Sequence, residues 1–242
     1  MQRFFSKLNL KMRLLSFILF ISLISIVFVA AISYQKSKSA LTDLSINQLS
    51  SQGSLLKKSL DGYIQRTLNT TSTLSVDRLI EGLFIAYESA FYGSNFDPGE
   101  DLIIYNDFYK KLDKQYGERK KKMLDQFQID DFFLVTTGAQ VIFTAQNKGN
   151  ANFLGRNLAN GAYKKTPIGK CYAQADSGPD GKVFFSDFFA NAITKTTDAF
   201  FCVKKLAEFD NQDEGVSKGD KIGVLMIKIS TNLVNQILGE RV

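Results

Sequence analysis

Histidine is the side chain most often used for proton transfer near neutral pH, and this sequence of 242 residues contains none. That excludes Ser-His-Asp triads, Cys-His pairs, imidazole-ligated zinc and phosphotransfer through a histidine of this chain. The two cysteines, Cys171 and Cys202, are too few for a four-cysteine metal cluster. In an oxidising compartment they can form one disulfide between a predicted helix and a predicted strand; two separate buried thiols are the alternative, since sequence spacing does not fix Cα separation. Four acids crowd Asp210-Asn-Gln-Asp-Glu-Gly-Val-Ser-Lys-Gly-Asp220. Their spacing departs from the Asp-x-Asp-x-Asp-Gly pattern of a calcium loop, so the segment reads as a solvated hairpin loop and no metal or other cofactor is expected. Catalysis would have to rest on a carboxylate alone, which favours a binding or interaction protein over an enzyme.

The elements that position these residues begin at the N-terminus. Met1 to Arg13 carries Arg3, Lys7, Lys11 and Arg13 and no acid, and residues 14–33 then run without a charge. About 20 apolar residues at about 1.5 Å each reach about 30 Å, enough to cross a hydrocarbon core as one helix. The flanking cations hold the short stub in the cytoplasm and send the remainder out. A cleaved signal with small residues at Val29-Ala-Ala31 is the competing reading, but its apolar run would ordinarily be shorter. Either way the rest is exported. Of the net charge of +6, four positive charges sit in the stub, so the exported part is nearly neutral, which is not a nucleic-acid-binding balance. The run Arg119-Lys-Lys-Lys122 reads as a solvated helix face.

Beyond the membrane, Leu49, Leu56, Leu60, Tyr63, Leu74 and Leu83 recur mostly at helical spacing, predicting a long stalk helix to about Phe91. Such a stripe buries little unless a partner helix covers it, so a homodimer through the stalk is expected. Gly93-Ser-Asn-Phe-Asp-Pro-Gly99 should end it, and a second helix is predicted from Asp101 to Phe127. The period then changes. Short apolar runs at 131–136, 140–144, 182–186, 199–203 and 221–229 predict five strands, the first two joined as a hairpin through Thr137-Gly-Ala139. The nearly forty residues between the second and third strands contain a predicted helix near Ile168 to Ala175; a connection of that length in a compact domain usually carries function. Ser230 is placed to cap a last helix from Thr231 to Leu238.

From Asp130 to Leu238 the sequence resembles the extracytoplasmic Cache sensor domains of bacterial methyl-accepting chemotaxis receptors and related transmembrane histidine kinases and cyclases. The similar pieces occur in order: Asp131-Phe-Phe-Leu-Val with Gly138 and Val141-Ile-Phe-Thr144, Gly155-Arg-Asn-Leu158, Asn160-Gly-Ala-Tyr-Lys-Lys-Thr166, Lys182-Val-Phe-Phe-Ser-Asp-Phe188, Phe201, Ile222-Gly-Val-Leu, and Asn235-Gln-Ile-Leu238. The stalk from Leu60-Asp-Gly-Tyr63 to Phe91 also resembles the helix that precedes such domains. Departures fall where a ligand would lie. Ala190-Asn-Ala-Ile193 replaces a proline-flanked tyrosine, Asp198 replaces a proline, and Asn152-Phe-Leu154 alters an Asp-Phe-Gly.

The resemblance implies an α+β fold: a transmembrane helix and helical stalk followed by a PAS-like domain with a five-stranded antiparallel sheet. The implied boundaries are a cytoplasmic stub at 1–13, a membrane helix at 14–33, stalk and second helix at 34–128, and a sensor domain at 129–242. The implied ligand pocket lies under the long connection. Tyr163 is a candidate hydrogen-bonding lid residue, Asp187 an acceptor for a ligand amine or hydroxyl, Asn191 a two-way partner, and Phe153 and Phe201 are walls. Asp187 reads equally as a turn cap, Tyr163 as half-buried packing, and the phenylalanines as core. The expected function is a single-pass inner-membrane sensory module that binds an unidentified small molecule outside the cytoplasm and belongs to a longer receptor. The alternative is a membrane-anchored assembly protein without a ligand.

Overall fold

The computed structural model describes residues 10–93, 107–146, 153–191, 196–212 and 215–239. Most of the N-terminal stub, the turn cluster at 94–99 and the expected start of the second helix lie outside these residues. Helix α1 spans Leu10–Ser75, and the chain divides into two compact units, Met1–Lys58 and Ser59–Val242.

In the first unit, the side chains from Leu14 to Val29 are almost all solvent-exposed in the absence of lipid, and α1 is long and apolar enough to cross a membrane. Farther along, Leu41, Leu44, Leu49 and Leu56 are likewise uncovered.

In the second unit the expected single stalk helix is interrupted. Helix α1 stops at Ser75, and Asp77, in an extended conformation, accepts the Leu79 N–H at 2.6 Å to cap helix α2 (Arg78–Tyr92). The apolar stripe continues through this break because Ile80, Leu83, Phe84, Tyr87 and Phe91 keep the helical spacing and are buried. That is why periodicity alone reads as one rod. Helix α3 (Asp107–Phe127) packs Tyr109 and Leu112 inward, with the Tyr87 ring edge-on to Tyr109 and Phe143 at 5.0 and 4.6 Å. At its end Tyr63 of α1 donates to the Gln128 carbonyl at 2.9 Å.

The sheet is antiparallel throughout, in the order β2-β1-β6-β5-β3, from β1 (Asp131–Thr136), β2 (Val141–Thr144), β3 (Val183–Phe185), β5 (Thr197–Leu206) and β6 (Lys221–Ser230). The five expected strands are all present. A sixth, the two-residue β4 (Phe189–Ala190), pairs with the start of β5; it is too short to carry a sequence period. Helix α4 (Pro167–Ser177) lies in the long connection, with Thr166 as its cap and Pro167 at its first position. Helix α5 (Thr231–Gly239) follows β6, and Ser230 accepts the Leu233 N–H at 3.2 Å, the cap read from sequence.

Alternation along the strands gives the sheet two different faces. Phe132, Leu134, Phe201, Val203, Leu225 and Ile227 turn toward α1, α2 and α3. Phe133, Val135, Phe200, Cys202, Val224 and Met226 turn toward α4 and its flanking connection. Gly223 lets α2 sit close: a Cβ there would fall 2.3 Å from the Phe84 ring and 2.2 Å from the Val135 carbonyl.

Candidate functional site

The connection-covered face is apolar over most of its length. Phe153 is buried against Phe133 and Phe200, with ring centroids 5.3 and 6.2 Å away, and Tyr163 stands 6.3 Å from Phe153 with the Arg156 guanidinium 6.0 Å from its ring. The connection is held down by polar anchors. Asn157 donates to the Gly138 carbonyl at 2.9 Å and accepts the N–H groups of Ala159 and Asn160 at 3.0 Å. The Tyr172 hydroxyl reaches the Thr136 carbonyl at 3.2 Å, and burial pushes this phenol well above its ordinary pKa. Gly169 admits the Tyr163 carbonyl, which would lie 2.1 Å from a Cβ at that position. The Cys171 and Cys202 sulfurs are bonded at 2.12 Å and tie α4 to β5.

At one end of this face the character changes. Here β1 and β5 begin and β6 ends, so Asp131 and Lys228 are direct neighbours across the β1–β6 ladder, Phe200 is the next neighbour of Lys228 across β5, and Asp198 pairs with Ser230. Strand alternation turns Asp131, Asp198 and Lys228 to the same face as Phe133, Phe200 and Met226. All three charged residues are buried, Asp131 and Asp198 fully and Lys228 to 6% exposure.

The two carboxylates are well supplied with donors. Asp131 accepts the N–H groups of Phe132 and Gln146 at 2.8 and 2.9 Å and the Thr144 hydroxyl at 2.7 Å. Asp198 accepts the Asn191 amide at 2.9 Å and the Thr196 hydroxyl at 2.7 Å. Lys228 differs. Among the described residues no hydrogen bond or ion pair holds its ammonium. Burying charge is costly unless each group is paired, so three ionisable groups at one sheet end are a poor choice for stability alone. Convergent polar groups beside an apolar wall have the composition of a small-molecule site.

The residues expected from the sequence scatter about this site. Asn191 belongs to it through Asp198, and Phe153 forms part of the apolar wall with Tyr163 beside it. Asp187 is exposed, with φ 62°, and its carboxylate accepts the Phe188 N–H at 2.7 Å, the geometry of a turn cap. Phe201 does not face Phe153: it lies on the helix-covered side, 4.7 Å from Phe185, and Phe200 occupies the wall position instead. A one-residue slip along a strand exchanges faces, which is the physical reason for that correction. Asp131, Asp198 and Lys228 were not singled out as site residues in the sequence. The available signal was a charge at the end of each of three adjacent strands, and reading it requires the register.

No family model matches the sequence, and no curated protein matches it. Solved structures do. The sensor domain of the Vibrio cholerae histidine kinase DctB is similar over 79% of this chain, with 11% identity and a TM-score of 0.51; the match spans 58% of that chain's own length. Lower-scoring similarities are to the ligand-binding domain of the Pseudomonas aeruginosa PAO1 amino-acid chemoreceptor PctC in complex with GABA (TM-score 0.39, 12% identity, 80% of this chain and 65% of that one) and to that of the Campylobacter jejuni chemoreceptor Tlp3 in complex with 4-methylisoleucine (TM-score 0.34, 13% identity, 76% and 63%). With its antiparallel sheet, preceding long helices and covering connection, the chain has the fold of a Cache-type sensor domain.

Proposed function

We propose that this chain is the extracytoplasmic sensory module of a membrane-anchored receptor, binding a small molecule at the charged end of the connection-covered face. The observation that carries the reading is the burial of Asp131, Asp198 and Lys228 on one face beside Phe133, Phe153 and Phe200. The fold shared with the DctB sensor domain supports it, and the absence of histidine argues against an enzymatic role. Residues 14–33 anchor the chain in the bacterial inner membrane with the N-terminus in the cytoplasm, by the distribution of the flanking cations. The exposed leucines of α1, Leu41, Leu44, Leu49 and Leu56, support pairing with α1 of a second copy.

The relay is mechanical in this reading. A ligand that binds one arrangement of the sheet and its covering connection better than another shifts the population between them. The Tyr63 contact to Gln128 links that change to α1, where displacements of about 1–2 Å are typical of helix shifts in signalling proteins.

Thermal-shift screening of the full chain in detergent against amino acids, organic acids and purines tests the proposal. At a hundredfold excess over Kd, binding to the native state adds about 2.7 kcal/mol, a readily measured rise in Tm. The expected result is such a rise with at least one compound. No rise with any of them, together with stoichiometric capture of a protein partner, replaces the sensor reading with the assembly reading.

A further inference from the structure

We infer that Asn160 is a site of spontaneous covalent modification: its side-chain amide closes onto the Gly161 backbone nitrogen and is replaced by a carboxylate, which puts a new negative charge in the connection that covers the sheet. The inference does not depend on what the sheet binds. Asn160-Gly161 is the single Asn-Gly pair in the sequence. Both residues are exposed, and Gly161 sits at φ 60° with open space where a Cβ would be. Among the described residues the Gly161 N–H finds no acceptor, and the Asn160 side chain makes no hydrogen bond. The flanks, by contrast, are fixed. The Asn157 carboxamide oxygen accepts the Ala159 and Asn160 N–H groups at 3.0 Å, and Thr166 donates to the Tyr163 carbonyl from its hydroxyl at 2.6 Å and its N–H at 2.9 Å.

The Gly161 nitrogen, once its proton has passed to solvent, attacks the Asn160 Cγ. An N–Cγ bond forms, the Cγ–Nδ2 bond breaks, and the side-chain nitrogen takes a proton from water and leaves as ammonia. A second water opens the five-membered imide. Hydrolysis at Cγ restores the backbone and leaves aspartate; hydrolysis at the main-chain carbonyl carbon leaves isoaspartate, with the backbone rerouted through Cβ and Cγ. The net change is one water consumed and one ammonia released, with no oxidant or reductant. Attack requires a free nitrogen and a side chain able to swing over it, which is a condition of proximity and orientation. A Cβ on the following residue would crowd the ring, and a hydrogen-bonded N–H would be held away from it; Gly161 has neither. Asn157 is the contrast. The Leu158 N–H that follows it is bonded to the Ala139 carbonyl at 2.9 Å, and its own amide donates to the Gly138 carbonyl at 2.9 Å. The fold thus leaves one asparagine of this turn free to react and ties down the other. Isoaspartate lengthens the main chain by one carbon between the ties at Asn157 and Thr166, so its formation loosens the connection.

The full chain in detergent is incubated at neutral pH, sampled over days and digested with trypsin, with a sample taken at the start to correct for conversion during digestion. Cleavage after Arg156 and Lys164 releases one peptide that contains both Asn157 and Asn160. Tandem mass spectrometry should show oxygen replacing NH at Asn160 at a rate at least about tenfold that at Asn157, and chromatography should resolve aspartate and isoaspartate products. Asn160→Gln, whose longer side chain would have to close a larger ring, should abolish the change at this position. Hydrogen exchange over residues 157–166 should be faster in aged wild type than in aged Asn160→Gln. Equal conversion at the two asparagines, or none at either, overturns the assignment. Aspartate formed without isoaspartate overturns the route through the imide. Conversion about tenfold slower in the folded chain than in a synthetic peptide of residues 157–164 would show that the fold protects the pair, and overturns it as well. Equal hydrogen exchange in the two aged proteins overturns the loosening of the connection. If Asn160→Gln does not fold, the comparison of Asn160 with Asn157 within wild type decides by itself.

Discussion

Single buried charges separate this molecule's functional requirements from its folding requirements. Lys205, near the end of β5, is fully buried; its ammonium lacks a hydrogen bond and lies 3.8 Å from Glu81 Oε2 of α2. Glu81 in turn accepts the Glu208 N–H at 2.9 Å, so the pair fastens α2 to the sheet. Burial pulls the Lys205 pKa below its ordinary value, and this outweighs the opposing pull of Glu81, Glu208 and Asp77. The folded state therefore holds fewer protons than the unfolded state as pH approaches the ordinary lysine value of about 10.4, and stability from this group rises with pH in that window. Urea denaturation of wild type and Lys205→Met at pH 7 and pH 9.5 should show the wild type gaining relative to the variant at the higher pH. A constant difference would mean that Lys205 keeps its ordinary pKa in the fold.

Among the elements, α4 has the most to lose. It is short, it covers the site-bearing face, and its attachment combines Ile168, Tyr172 and Ala175 with the Cys171–Cys202 bond across 31 positions of sequence. A crosslink closing a loop of that size stabilises by about 2–4 kcal/mol, mainly by restricting the unfolded chain. Cys171→Ala with Cys202→Ala should lower stability by about that amount in chemical denaturation while the six-stranded sheet persists. Hydrogen exchange in the variant should rise first in Pro167–Ser177 and only slightly in β1 and β6. Uniform acceleration would show that the bond supports the whole sheet rather than the connection.

Across the whole molecule, a sensory role requires that the sheet lie on the outer side of the membrane. The apolar part of α1 and its flanking cations predict export, and the disulfide is the expected state of paired cysteines in an oxidising compartment. Alkaline phosphatase fused after Val242 should be active and a fluorescent protein dependent on cytoplasmic folding should be dark. The opposite pair of results would place the site in the cytosol. It would also leave Cys171 and Cys202 reduced, which alkylation with a thiol reagent after denaturation would reveal.

The order of elements, the change from helical to extended period near Asp130, the short helix near Ile168 and the Ser230 cap were all legible in the chain, because each depends on residues within a turn or two of one another. So was the lone apolar span, which needs only length and composition. The break at Asp77 was not, since the apolar stripe keeps its spacing across it. Nor was the sixth strand, two residues long. Phe200 rather than Phe201 faces Phe153, and Asp131, Asp198 and Lys228 converge, only because three strands pair in one register. Register is a relation between segments some thirty to a hundred residues apart, fixed by the packing of both faces at once, and no local pattern carries it.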